Sequence, residues 1–258
     1  MPRNDGLSGV NTYLTILPST RQINFSEKSN IEMTGSNFTR NLQILGLDEN
    51  HKFLIPSKKI HDGNDVAFWL TTCAYTDIMT FILQLNVSMF PRKLPNSSPI
   101  EMWELNGQNV VYSSAVSSLR DLLSKLEEII EEAPPDPGPR RFGNVSFRKW
   151  HSIVEERINA LLEEHLPHHI LEHGSSASQS SKEEITAKDE LRSYLMGSFG
   201  SSQRLDYGTG HELSFLAFLG CIWKLNGFPK TEPGAEERAI VLGVIEPYFF
   251  LRFFVEQC

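Results

Sequence analysis

The stretch SAVSSLRDLLSKLEEIIEE, residues 114–132, decides the fold class. Val116, Leu119, Leu122, Leu123, Leu126 and Ile129 fall three or four residues apart and form one stripe of a helix, while Glu127, Glu128, Glu131 and Glu132 form a solvated face. The same period returns on either side of it. From Asp65 to Phe90, the residues Val66, Trp69, Leu70, Cys73, Ile78, Phe81, Ile82, Leu85 and Met89 predict one long, mostly buried helix. Asp62 or Asn64 can cap it, and Pro91 stops it because proline lacks the amide donor and clashes with the preceding turn. Downstream, Pro134-Pro135-Asp136-Pro137-Gly138-Pro139 holds four prolines in six positions and can only be a connection. Asn144 offers a cap for a helix carrying Phe147, Trp150, Val154, Ile158, Leu161 and Leu162, which ends near Pro167. Ser181 and Glu184 form a capping-box pattern that opens a helix through Leu195. Two more helices follow, about 211–225, with Gly227 placed to end it, and about 236–255. No strand-period run of comparable length and no fixed repeat is present, so the chain reads as all-α.

Residues 1–51 are rich in Ser, Thr, Asn and Gly and read as a flexible N-terminal leader. Residues 52–258 read as one helical domain carrying a serine-rich surface loop at 174–181. The first twenty residues contain no apolar signal core, which predicts an intracellular protein. The apolar stretches 66–90 and 239–255 are interrupted by Asp77, Gln84 and Asn86 and by Glu246, Pro247 and Arg252, so they read as core helices and no membrane partner is expected. A formal net charge of -8 gives no reason to expect nucleic acid. Cys73, Cys221 and Cys258 are scattered without a CxxC pair, which indicates neither a disulfide framework nor a zinc cluster.

Chemistry concentrates in Gly200-Ser201-Ser202-Gln203-Arg204-Leu205-Asp206-Tyr207-Gly208-Thr209-Gly210-His211-Glu212. Glycines flanking a threonine at a helix start expose backbone N–H groups to an anion or a carbonyl oxygen, beside two carboxylates, a phenol and an imidazole. A zinc-protease helix would need His at position 215, which is Phe, and no third glycine or preceding strand makes a nucleotide loop. The alternative reading is a tight turn with Asp206 or Thr209 as a helix cap. His165, His168, His169 and His173 cluster around Pro167 and read as a solvent-exposed helix end rather than a ligand set. Arg140 and Arg141 follow the proline connector and meet a helix start, where they grip a carboxylate or phosphate or tie the connector down.

At these motifs the sequence resembles the protein phosphatase type 2A activator family, also called the phosphotyrosyl phosphatase activator family, including its fungal members. The resemblance rests on Arg141-Phe142-Gly143-Asn144, on Phe147-Arg148-Lys149-Trp150, and above all on Arg204 with Asp206-Tyr207-Gly208-Thr209-Gly210-His211-Glu212; Phe53 to Pro56 and Phe81 to Asn86 agree with it. It implies an all-α fold with core, linker and lid parts, and partners in the catalytic and scaffold subunits of phosphatase type 2A. It also implies ATP and Mg used through the phosphatase complex, and peptidyl-prolyl cis-trans isomerase activity on a proline-containing peptide of the catalytic subunit. Asp206, Tyr207, His211 and Glu212 are then the catalytic candidates, and Arg141, Arg204, Gly208, Thr209 and Gly210 the peptide- or partner-binding ones, with no metal ligands. A cytoplasmic and also nuclear location is implied.

The family continues beyond its final shared helix into a Glu-Pro-Ala-Gly-Ser-His-Gly-Val-Trp-Gly-Leu-Asp-Asp motif with no counterpart here, so the expected fold is C-terminally truncated. Phe249, Phe250, Phe253 and Phe254 are then expected to lack their usual packing partners. Two further readings stand beside the isomerase: a non-enzymatic, ATP-dependent phosphatase assembly factor, and an inactive truncated product.

Overall fold

The computed structural model describes residues 41–46, 51–93, 100–105, 107, 110–138, 144–173, 185–203, 205 and 210–257. The helices are α1 (Gly63–Trp69), α2 (Cys73–Ser88), α3 (Ser114–Glu132), α4 (Ser146–His165), α5 (His168–Leu171), α6 (Ala187–Gly197), α7 (His211–Lys224), α8 (Ala235–Ile240) and α9 (Glu246–Gln257), with a π-helical turn, Val241–Ile245, joining the last two. Among the described residues Arg92 and Glu101 form an isolated antiparallel bridge.

The stripe that α3 carries is buried throughout and packs on α4, whose own stripe Phe147, Trp150, Val154, Ile158 and Leu162 is fully enclosed. Each such side chain contributes about 1.5–3 kcal/mol of apolar burial. Trp150 also satisfies its polar edge, because the indole N–H donates to the Leu126 carbonyl at 3.1 Å. The second layer pairs α6 with α7. Gly197 permits that approach, since a Cβ there would lie 2.9 Å from the Ser214 hydroxyl, which itself donates to the Tyr194 carbonyl at 2.8 Å. Between α2 and α7, the buried Lys224 ammonium pairs with the Asp77 carboxylate.

The 65–90 stretch is two helices rather than one. α1 and α2 meet at 66°, and the break at Leu70–Thr72 is set by Thr72, whose hydroxyl accepts the Tyr75 amide and donates to the Trp69 carbonyl. Apolar period alone runs through this elbow and does not see it. Asp62 is the cap of α1, in a reciprocal box with Asp65. The capping box expected at Ser181 and Glu184 falls outside the described residues; the described box is Thr186 with Asp189, opening a helix that runs from Ala187 to Gly197.

Asn144 does not act as a plain cap. Its side-chain oxygen accepts the amides of Ser146 and Asp136 and so ties the proline connector to the start of α4. Past α7, the left-handed position belongs to Asn226 at φ 57°, and Gly227 is needed for closeness, because a Cβ there would sit 2.5 Å from Ile170 and Ile222. The helix expected over 236–255 forms but is interrupted by the π turn, for which Pro247 gives a cause: it cannot donate to the turn before it. Phe249, Phe250 and Phe253 are 44–58% exposed on α9. The loop 174–181 lies outside the described residues, and Leu42, within the stretch read as leader, is 5% exposed. Among the described residues no single helix is long and apolar enough to cross a membrane, although α1 and α2 pass that test only as a bent pair.

Candidate functional site

The glycine-rich stretch forms the passage from α6 to α7. Gly200 turns the chain at φ 100°, and Leu205 holds a left-handed φ of 54°, a conformation costing about 1–2 kcal/mol for a residue with a Cβ. The amide of Leu205 donates to the Ser201 carbonyl at 2.8 Å, which closes the turn. Gly210 then occupies the N-cap of α7 and, as a glycine, brings no side chain of its own to the first-turn amides. Those amides and the positive end of the helix dipole suit an anion or a polarised carbonyl oxygen. Asp206, Tyr207, Gly208 and Thr209, like Arg204 and Arg141, lie outside the described residues.

The two candidates that follow are engaged. His211 is 6% exposed, and its Nδ1 lies 2.8 Å from the Gly197 carbonyl; a carbonyl only accepts, so Nδ1 carries a proton and donates it. Glu212 forms an ion pair with Arg252 of α9. Tyr248, one turn earlier on the same helix, donates its hydroxyl to the Ser198 carbonyl at 2.7 Å and stacks on Phe215 at 3.8 Å and 6°. The end of α6, the start of α7 and the inward face of α9 are thus fastened together around the site. From α4, the Arg148 Nε–H donates to the Ser202 carbonyl at 3.1 Å, which brings the Phe147–Trp150 segment to the turn.

Arg148, Ser198, Tyr248 and Arg252 were not read as site residues from sequence. Arg148 sits in a quoted segment, but 54 positions separate it from its acceptor, and the Glu212–Arg252 pair spans 40; spacing in the chain carries no signal for such contacts. Among the described residues no group of three or more His, Cys, Asp or Glu side chains is placed to hold a metal ion. Of the four clustered histidines His168 and His169 are exposed, with His169 Nε2 3.3 Å from the Asn226 carbonyl, whereas His165 and His173 are half-buried, His173 with its ring edge-on to Phe53.

A sequence profile for the family described as "Phosphotyrosyl phosphate activator (PTPA) protein" matches residues 56–255. The chain belongs to this family. Among individual activator-family relatives, it is 56% identical over 212 residues to the serine/threonine-protein phosphatase 2A activator 1 of Aspergillus fumigatus, covering 82% of this chain and 44% of that protein. It is 57% identical to the protein of the same name from Emericella nidulans, covering 82% of this chain and 48% of that one. The fold is similar to the crystal structure of the PP2A phosphatase activator Ypa1, with a TM-score of 0.57 and 29% identity over 78% of this chain and 56% of that chain. The chain spans about half the length of the activator-family relatives it matches.

Proposed function

We propose that this chain supplies part of a phosphatase type 2A activator, and that the α6–α7 passage is where it engages the catalytic subunit, with the scaffold subunit as second partner. Family membership over residues 56–255 is the observation that carries this reading. The chemistry proposed at the passage is rotation of an X-Pro bond, whose barrier is about 18–20 kcal/mol and which needs no nucleophile. A glycine at the N-cap of α7 supports it, since first-turn amides with no Gly210 side chain over them can hydrogen-bond a carbonyl as its amide resonance is lost. Gly208 and Gly210 would let the peptide backbone approach closely, with Arg141, Arg204 and Thr209 as binding groups and Asp206 and Tyr207 as polar contacts. His211 and Glu212, tied to Gly197 and Arg252, act here as positioning residues rather than proton carriers.

That engagement favours a second reading, the assembly factor, in which the same passage holds the phosphatase without turning over a peptide. ATP and Mg would enter with the phosphatase; the described residues present no metal cluster for them, so no step is assigned to either. A cytoplasmic and nuclear location is part of the same proposal. The test measures proline-peptide isomerisation and phosphatase reactivation side by side with Asp206→Ala. Loss of both by about tenfold or more supports the isomerase; reactivation without detectable isomerisation in the unaltered chain leaves the assembly factor, and failure of both assigns the inactive product.

A further inference from the structure

Leu42 occupies a seat between α2 and α7, well away from the passage at the start of α7. Its amide donates to Gln84 Oε1 at 2.9 Å, and its carbonyl accepts the Trp223 indole N–H at 3.0 Å. Three residues on, the Leu45 amide donates to the Lys224 carbonyl at 2.8 Å. The Leu42 side chain enters a small pocket shared by Asp77, Ile78, Phe81, Leu216 and Gly220, with about 10 Å³ left unfilled. Gly220 forms part of the wall: a Cβ there would make ordinary contact, at 3.9 Å from Leu42 and 3.7 Å from Phe81.

The polar anchor of the seat is held in place by a residue outside the segment. Gln84 Nε2 donates to Glu237 Oε1 at 2.9 Å, and Glu237 is 7% exposed, so the amide cannot flip and Oε1 must face outward as an acceptor. Main-chain groups captured along one segment, with a side-chain pocket between them, is the way grooves read an extended peptide. The walls, α2 and α7, lie within the family-matched residues 56–255, whereas the occupant precedes them. The occupant is held lightly: Asn41, Gln43, Ile44 and Gly46 are exposed and Leu42 alone is fully buried. One buried leucine and a few main-chain hydrogen bonds offset little more than the ordering of the segment itself.

We propose that the α2–α7 seat is a peptide-docking groove for an extended Leu-x-x-Leu segment, occupied here in cis by Leu42–Leu45 and open to exchange with such a segment from another polypeptide. Trp223 lies twelve positions along α7 from His211, about 18 Å at helical rise, so the groove is distinct from the proposed activator site and its test is independent of that reading.

The probe is a fluorescein-labelled peptide of residues 39–46, titrated by fluorescence anisotropy into the unaltered chain and into the full chain carrying Leu42→Asp. The Leu42→Asp chain is expected to bind it at least about tenfold more tightly, because its own segment no longer competes from a tether. A probe carrying Leu42→Asp should bind neither. Amide exchange on the unaltered chain gives a measurement that needs no substitution: protection of the Leu42 and Leu45 amides should fall at saturating probe. Equal affinity for the two chains, or exchange at Leu42 that saturating probe does not change, overturns the proposal.

Discussion

Lys224 has 7% of its side chain exposed and meets Asp77, which is 24% exposed, so the pair between α2 and α7 encloses the ammonium and leaves the carboxylate partly open to water. Removing one partner strands the other charge, at about 3–5 kcal/mol, whereas replacing both by apolar groups restores much of the loss. Asp77→Ala should therefore lower the urea midpoint strongly, and Asp77→Leu combined with Lys224→Met should recover most of it. His151 makes a pH prediction. Burial lowers its pKa below the ordinary 6.5, with Arg192 adding in the same direction against Glu155. The unfolded chain then binds the proton more readily than the folded one, so stability is full above pH 6.5, falls as the pH drops from there toward the lower folded value, and levels off beneath it. His151→Gln should flatten that slope in denaturation curves taken between pH 7 and 5, as expected when the group that titrates near 6.5 is removed.

Helix interiors and helix ends were not equally legible. The α3 and α4 stripes could be read residue by residue because burial on one face leaves a period of 3.6 in the sequence. The elbow at Thr72 could not, because the apolar residues on both sides keep the same spacing while the hydroxyl diverts two backbone groups. Thr72→Ala should cost about 1 kcal/mol in chemical denaturation, the loss of one helix cap, although position 72 reads as helix interior from pattern alone. At the candidate site, composition pointed to Gly210, His211 and Glu212, but their engagement with Gly197 and Arg252 arises from contacts between helices far apart in the chain. The split within α8 to α9 was hidden for a different cause: a π turn adds a residue without leaving any apolar period to mark it.

Across the whole molecule a row of rings runs from α4 to the site: Phe147 to Trp150, Trp150 to Phe199 at 5.2 Å, Phe199 to Tyr248 at 5.8 Å, and Tyr248 to Phe215. It couples the α3–α4 layer to α7 and α9 through packed side chains. Trp150→Leu removes both a ring from the middle of that row and the bond to Leu126, and should destabilise the chain by about 3 kcal/mol or more. Arg157→Ala breaks only an exposed pair with Glu132 and should leave the thermal midpoint where it was, at low and high salt alike.

The π turn at Val241–Ile245 bears on how the chain can change length. Losing one residue from an ordinary helix turns every later side chain by about 100° and would carry Tyr248 and Arg252 away from Ser198 and Glu212. Here the wider loop already holds one residue more than an α turn needs, so a single-residue deletion inside it would convert the turn to regular helix and keep the inward face of α9 in phase. Alignment gaps between homologues are normally assigned to loops, but in this chain a one-residue gap between Ile240 and Glu246 would fall within a continuous helix and leave the site standing.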